Sequence, residues 1–413
     1  MLDDLDVTRP GFFLRPDYYE LLAWLRTESP VHAVADGSLL VSRYGDIREI
    51  SRRPELFSSR HGAMTNDPVR AGGPNDEAGS ILHLDPPRHA AYRRLLNREF
   101  TPRAVGRLEP TIRERTRAVL DRLPRDEPID LVAEVASPIP VMVIAELLGI
   151  GDGDLADFRR WSDAVISVSD FPTDESLRLS GELFRFLGDH VKRRMARRDS
   201  PDGPGEDLLG LLVRAEIDGA PLTAAQIHMF CLTLLVAGNE TTRSLLAGGA
   251  QALAEHPDQR ARLAAEPAAV PDAIEECLRW VTPIQAFCRT ALADTEIAGV
   301  PVPAGSYLVL LYASGNRDER VFGPTADRFD AARPATPAHV AFGFGEHLCL
   351  GSALARLEGR VVLEELLARF PTYALAGEPV LGPSTLTRSI ERMPVVLAPL
   401  GPSPGPRIPH PEP

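Results

Sequence analysis

Apolar and polar positions alternate at helical spacing through most of this chain. From Ser352 to Phe370, Leu354, Leu357, Val361, Leu366 and Leu367 recur at three- and four-residue steps, the signature of one buried helix face. A longer run, Leu222 to Glu255, opens on Thr223 with Gln226 three residues later, a capping box, and continues to His256-Pro257. At about 1.5 Å per residue this helix is roughly 50 Å long, enough to cross the molecule. It is apolar from Met229 to Val236 and is expected to be buried, yet its middle reads Ala237-Gly238-Asn239-Glu240-Thr241-Thr242. A glycine, an acid and two β-branched residues suit the interior of a buried helix poorly. A local rule broken inside an otherwise consistent helix marks a candidate functional site. The plainer account is that Thr241 bonds back to the preceding turn and Glu240 pairs with a neighbour.

The remaining pattern is shorter. Residues 128–198 read as helices interrupted at Gly149-Ile150-Gly151-Asp152-Gly153 and near Asp170-Phe171-Pro172. Val31 to Val34 and Leu39 to Ser42 predict a hairpin about Asp36-Gly37, a favoured pair for a two-residue turn, and Asp46 is expected to cap the short helix that follows. Residues 59–80 are polar and loop-like. Asp85-Pro86-Pro87 stops what precedes it and starts a helix with proline in its first turn, which puts His89 and Arg93 on one face. Glu276 and Arg279 share a face of a later helix that ends at Pro283. Glu296 to Tyr312 predicts a second hairpin region turning at Pro303-Ala304-Gly305.

Composition narrows the function classes. The 413 residues carry a net charge of −13, which argues against non-specific nucleic-acid binding. The four cysteines, Cys231, Cys277, Cys288 and Cys349, are scattered without paired spacing, so neither a disulfide framework nor a zinc site is expected, and a reduced cytoplasmic location fits. The acidic start, Met1-Leu2-Asp3-Asp4-Leu5-Asp6, has neither a cationic region nor an apolar run, so no membrane anchor is expected. Residues 401–413 are proline-rich and read as a disordered tail behind a single domain of residues 1–400.

The chemistry centres on Phe342-Gly343-Phe344-Gly345-Glu346-His347-Leu348-Cys349-Leu350-Gly351. A lone cysteine is commonly a small buried hydrophobe. Here it closes a glycine-rich loop at a helix N-terminus, where free N–H groups and the helix dipole favour a thiolate, and glycines let a flat ligand approach the backbone. A haem iron takes such a thiolate as its axial partner. Phe342, Gly343, Gly345, His347, Cys349 and Gly351 match the haem-binding signature of the cytochrome P-450 superfamily, which this chain resembles from about residue 10 to 398.

The resemblance implies the mostly α cytochrome P-450 fold, a helical bulk with a small β-rich part drawn from both ends. It implies haem b with Cys349 as the iron ligand, and His89, Arg93, Arg289 and His339 as partners of its propionates. Ala237 and Gly238 then leave room for dioxygen, Thr241 holds dioxygen and its waters, and Glu240 relays protons. Glu276, Arg279 and Arg328 form a buried structural cluster. The stretch 59–80 becomes a flap over the substrate cavity, and the helices flanking residues 169–176 roof it. Gln285 stands where a substrate carbonyl or hydroxyl can be met, or else is a backbone-bonded loop amide.

The implied activity is hydroxylation or epoxidation of an apolar small molecule with O2 and two electrons from a ferredoxin and its reductase, in a bacterial, specialised metabolism. Two alternatives stand beside it. A peroxide-driven peroxygenase would not need both Glu240 and Thr241, and a non-catalytic relative that recruits partners would not need Cys349 and the propionate set. Arg88, Arg94, Arg98, Arg103 and Arg107 crowd a short segment opposed only by Glu99, a basic patch suited to an acidic ferredoxin.

Overall fold

Helix Ala224–Glu255 runs unbroken for 32 residues through the computed structural model, which describes residues 5–70, 80–125, 127–168, 172–201 and 203–398. The expected tail 401–413, part of the polar stretch 59–80 and Asp170-Phe171 lie outside the described residues. The capping box forms as read: Gln226 N donates to Thr223 Oγ1 at 3.2 Å and Thr223 N to Gln226 Oε1 at 2.8 Å. The first half of the helix buries Ile227, Phe230, Cys231 and Leu235 in one core, against Ile144, Leu187, Leu209 and Leu357. The second half buries Leu245, Leu246, Ala250 and Leu253 in another, against Ile139, Ile274, Leu278 and Leu366. Each such side chain contributes about 1.5–3 kcal/mol on leaving water. The polar middle falls between the two cores, so both ends hold the helix while its centre carries polar groups.

The sheets join distant parts of the chain. Five strands lie in the order Val31–Ala33, Leu39–Val41, Tyr307–Leu311, Ala286–Ala291, Phe57–Ser58, and three more in the order Thr372–Leu375, Pro394–Ala398, Pro128–Asp130. This is the helical bulk with a small β part drawn from both ends. The first hairpin pairs Val31 with Val41 and Ala33 with Leu39, a register that leaves three residues, Ala35-Asp36-Gly37, in its loop instead of two. Val34 N donates to Ser38 O at 2.9 Å, and Gly37 takes φ +81°, where a side chain would be strained. Asp46 does not cap helix Tyr44–Ser51. It sits in the first turn, and Tyr44 N is satisfied from afar by Asp318 Oδ2 at 3.0 Å. Nor does Pro87 enter the first turn of helix Arg88–Leu96; it stands at the cap.

Helix Val270–Val281 carries the buried Glu276–Arg279 pair, with Arg279 Nε 2.7 Å from Glu276 Oε2. Arg279 also donates to the carbonyls of Asn316, Ala326 and Arg328 at 2.7–2.9 Å. The third member differs from expectation. Arg328 offers only its carbonyl and leaves its side chain exposed, while Arg333 Nε reaches Glu276 Oε2 at 3.1 Å. The backbone at 328–330 turns its polar groups inward, and Asp330 N donates to Glu276 Oε1 at 2.8 Å, so the side chain at 328 points out. Gln285 is likewise a structural amide. It is fully buried, accepts from Tyr18 Oη at 3.0 Å and donates to Thr282 O at 2.5 Å, so no group is left for a substrate.

Candidate active site

The cysteine loop is built by its own backbone. Gly343 N donates to Val340 O and Cys349 N to Phe342 O, both at 2.9 Å. Gly343 and Gly345 take φ of +70° and +73°, and a Cβ on Gly345 would strike the carbonyl of Ser51. These glycines therefore make the loop possible and seat it against helix Tyr44–Ser51, which is a different reason from clearing a path for a flat ligand. Phe344 anchors the loop under the guanidinium groups of Arg48 and Arg52, 4.2 and 4.6 Å from its ring centroid. Helix Ser352–Arg369 starts directly after, with Gly351 at its cap.

Cys349 is exposed, whereas Cys231, Cys277 and Cys288 are buried. Burial nevertheless pushes its thiol up, against the opposing pull of the Gly351 N–H, Arg93 and Arg356. Cys349 is thus the one accessible thiol of the four, with Arg93 and Arg356 acting on its sulfur.

Ala237 is exposed in the middle of the long helix, between its two buried ends. One turn on, the half-buried Thr241 donates its hydroxyl to Ala237 O at 2.6 Å, the back-bond anticipated from the sequence. Glu240 is buried; it accepts from Ser389 Oγ and forms an ion pair with Arg243. Gly238 is half-buried and meets helix Pro138–Leu147. A Cβ there would stand 2.8 Å from Ile144 Cδ1, so this glycine lets helix Pro138–Leu147 pack closely.

At a third side, His89, Arg93, Arg289 and His347 come together. The imidazoles of His89 and His347 stack with centroids 4.1 Å apart. Burial, aided by Arg93 and Arg289, pushes His89 down to about 4. The same causes, with Arg289 foremost among the cations, push His347 to about 2. Arg93 in turn feels the sulfur of Cys349. Among the described residues neither arginine of this group has a carboxylate within ion-pairing distance. Two arginines and two imidazoles without a counter-anion beside a desolvated thiol suit a flat dianionic group ligated by sulfur, and the propionates of a haem fit that donor set.

The structure does not bring His339 to this group. Its Nε2 lies 3.3 Å from Glu275 Oε2, and its Nδ1 accepts from Ala341 N at 3.2 Å. Glu275, tied also to Arg356 at 2.6 Å, is held down at about 2 despite its burial. His347 takes the place expected of His339. The signal was present, since His347 stands two residues before Cys349 in the signature itself.

A family model described as Cytochrome P450 matches residues 175–381. The vitamin D(3) 25-hydroxylase of Pseudonocardia autotrophica is 40% identical over 91% of this chain and 93% of its own. The chain belongs to the cytochrome P450 family. A steroid C26-monooxygenase of Mycobacterium tuberculosis (strain ATCC 25618 / H37Rv) is 33% identical over 97% of this chain and 98% of its own. Among solved structures, cytochrome P450 CYP109Q5 from Chondromyces apiculatus superposes with a TM-score of 0.84 at 37% identity, covering 97% of this chain and 99% of that one. This cytochrome P450 is a haem-thiolate monooxygenase acting with O2 on a small molecule. Its cofactor is haem b, which supplies the redox and oxygen chemistry when bound. Among the described residues no helix is long and apolar enough to cross a membrane.

Proposed function

We propose that Cys349 is the axial thiolate, that His89, Arg93, Arg289 and His347 hold the propionates, and that Glu240 and Thr241 are the proton-handling pair of this monooxygenase, in one catalytic unit spanning residues 1–400. The observation that carries the reading is the position of Cys349: the one exposed cysteine of the four, at the end of the glycine-rich loop, with Arg93 beside the sulfur. Thr241 donates its own proton to Ala237 O, which leaves the lone pairs of its hydroxyl to accept from water. Glu240, held by Ser389 and by its ion pair with Arg243, moves protons toward it from the adjacent helix face. The exposed methyl of Ala237 keeps the helix thin beside the cleft.

The substrate is an apolar skeleton of terpenoid or sterol-like character. Relatives named for vitamin D(3), a steroid and linalool support that class. Electrons come from a ferredoxin and its reductase, in the cytoplasm of a bacterium, within specialised metabolism. The deciding experiment is the carbon monoxide difference spectrum of the reduced, haem-loaded protein. A red-shifted band that vanishes in Cys349→Ser, together with oxygen-driven turnover, establishes the ligand; a band that survives the substitution refutes it.

A further inference from the structure

Several buried polar atoms near Glu240 have no hydrogen-bond partner among the described residues. They are Asn239 Oδ1 and Nδ2, Arg243 Nε and Asp163 Oδ1, and Glu240 Oε2 has only its ion pair with Arg243. Asn239 and Arg243 lie four residues apart and so share a face of helix Ala224–Glu255. Helix Leu155–Val168, which carries Asp163, packs against that helix. The Asp163 carboxylate feels Arg243, Arg159 and Glu240, and the Ser137 hydroxyl donates to it.

Leaving a buried donor or acceptor unmade costs about 1–3 kcal/mol per group. Four such atoms in one place would consume a large share of a stability of roughly 5–15 kcal/mol. Buried water resolves the cost, since a polar pocket offering several donors and acceptors is where ordered waters sit. The other side of Glu240 is closed by protein groups. Ser389 Oγ, besides donating to Glu240 Oε1, is linked to Thr387 Oγ1 at 2.9 Å and Ser244 Oγ at 2.8 Å. That leaves the unpartnered atoms of Asn239, Arg243 and Asp163 as the polar approach to Glu240.

We propose that Asp163, Arg243 and Asn239 frame a water-filled inlet that carries protons from solvent to Glu240, with Asp163 as its outer station. The proposal rests on the reading of Glu240 as a proton relay. In each transfer the Asp163 carboxyl gives its proton to the adjacent water, that water passes one on to the Glu240 carboxylate, and solvent reprotonates Asp163. Arg243 keeps its proton throughout and holds the Glu240 carboxylate in place. Asn239 both donates and accepts, so its amide orients the waters between the two acids. Burial also pushes the Asp163 carboxyl up, toward a group that holds a proton at higher pH than an exposed aspartate does.

The test has two arms, both on the haem-loaded enzyme. A crystal structure should show ordered waters within hydrogen-bond distance of Asn239 Oδ1 or Nδ2, Arg243 Nε and Asp163 Oδ1; a dry, closed pocket overturns the inlet whatever the activity. In the second arm, Asp163→Asn should keep the red-shifted carbonyl band of the parent. It should lower oxygen-driven turnover on the order of tenfold, below the hundredfold or more of a donor at the reacting atoms, and raise the solvent deuterium isotope effect. Asp163→Glu should restore both. Equal turnover and isotope effect in Asp163→Asn and parent overturn the role of Asp163. A parent lacking the carbonyl band instead refutes the haem-thiolate reading, and the inlet with it.

Discussion

The imidazole of His347 stacks on that of His89 with ring centroids 4.1 Å apart, and Arg93 and Arg289 press on both rings. Cations and burial leave both imidazoles neutral where an exposed histidine would begin to charge. His89, 3% exposed, falls from its ordinary 6.5 to about 4, with only Asp85 pulling the other way. Because the folded value lies below the unfolded one, the unfolded chain takes up the proton first as pH falls. Stability of the haem-free protein is therefore fully present above 6.5 and is lost between pH 6.5 and 4, on the order of 3 kcal/mol from this residue. Haem propionates seated among these groups favour the charged imidazole and should flatten the slope. Thermal midpoints of apo and haem-loaded protein at pH 7 and pH 5 check this, and His89→Gln should flatten the apo profile too. An apoprotein as stable at pH 5 as at pH 7 contradicts it.

Glu276 makes a different kind of prediction. It is buried between two arginines, Arg279 at 2.7 Å and Arg333 at 3.1 Å. Removing one partner of a buried ion pair typically costs about 3–5 kcal/mol because a charge is left uncompensated. Glu276→Ala should fall in that range, and Arg333→Ala should be clearly destabilising. Arg328→Ala keeps the carbonyl that Arg279 uses and should stay within about 0.5 kcal/mol, as exposed substitutions do. Urea unfolding of the three variants decides whether the third member of the cluster is Arg333 or Arg328.

That comparison shows where the sequence could be read and where it could not. Long periodic elements were legible because their pattern is local: the helix from Thr223, with its capping box, and the helix after Cys349 stand where the spacing put them. Site residues inside a contiguous motif, Cys349, Glu240 and Thr241, can be proposed from the motif alone. Partners chosen by the fold cannot. Whether Arg328 or Arg333 turns inward depends on one backbone turn. His339 is expected in the cation group, and Glu275, on helix Val270–Val281, holds it elsewhere. Nothing in the sequence names Ile144 as the neighbour of Gly238. Ser389 and Asp163, which flank Glu240 in space, are 149 and 77 residues away and carry no signal of their own.

Thr241 separates structural from chemical roles. Its hydroxyl bonds back to Ala237 O, a contact that adds little to a helix, and alanine has the better helix propensity by up to about 0.7 kcal/mol. Thr241→Ala should thus keep haem binding, substrate binding and thermal stability. It should divert reducing equivalents from product to peroxide, with coupling lowered about tenfold or more if the hydroxyl orders the waters that deliver protons. Product formed per electron consumed, with peroxide assayed alongside, measures it. Unchanged coupling would reduce Thr241 to a helix residue.

The proposed ferredoxin donor makes a prediction about the arginines that are tied and those that are not. On helix Glu109–Leu120, Arg113 is bound to Glu109, Glu364 and Glu365 at 2.7–2.8 Å. Arg94, Arg98, Arg103 and Arg107 just before it are exposed, and among the described residues none has a carboxylate within ion-pairing distance. The same segment carries Arg93, which faces Cys349, and the exposed Leu348 lies next to that cysteine. Free positive charge thus gathers where the path to the sulfur is short, on a chain whose net charge is −13. An acidic ferredoxin would be steered there by long-range attraction, which acts on the encounter rate more than on the final contact. Arg103→Glu with Arg107→Glu should slow reduction by ferredoxin about tenfold or more at low salt. The deficit should shrink as salt shortens the screening length to about 8 Å near physiological strength. Reduction by dithionite and substrate binding should not change, because neither needs the patch. Equal ferredoxin-driven rates for variant and parent across a salt series would place the docking surface elsewhere on the molecule.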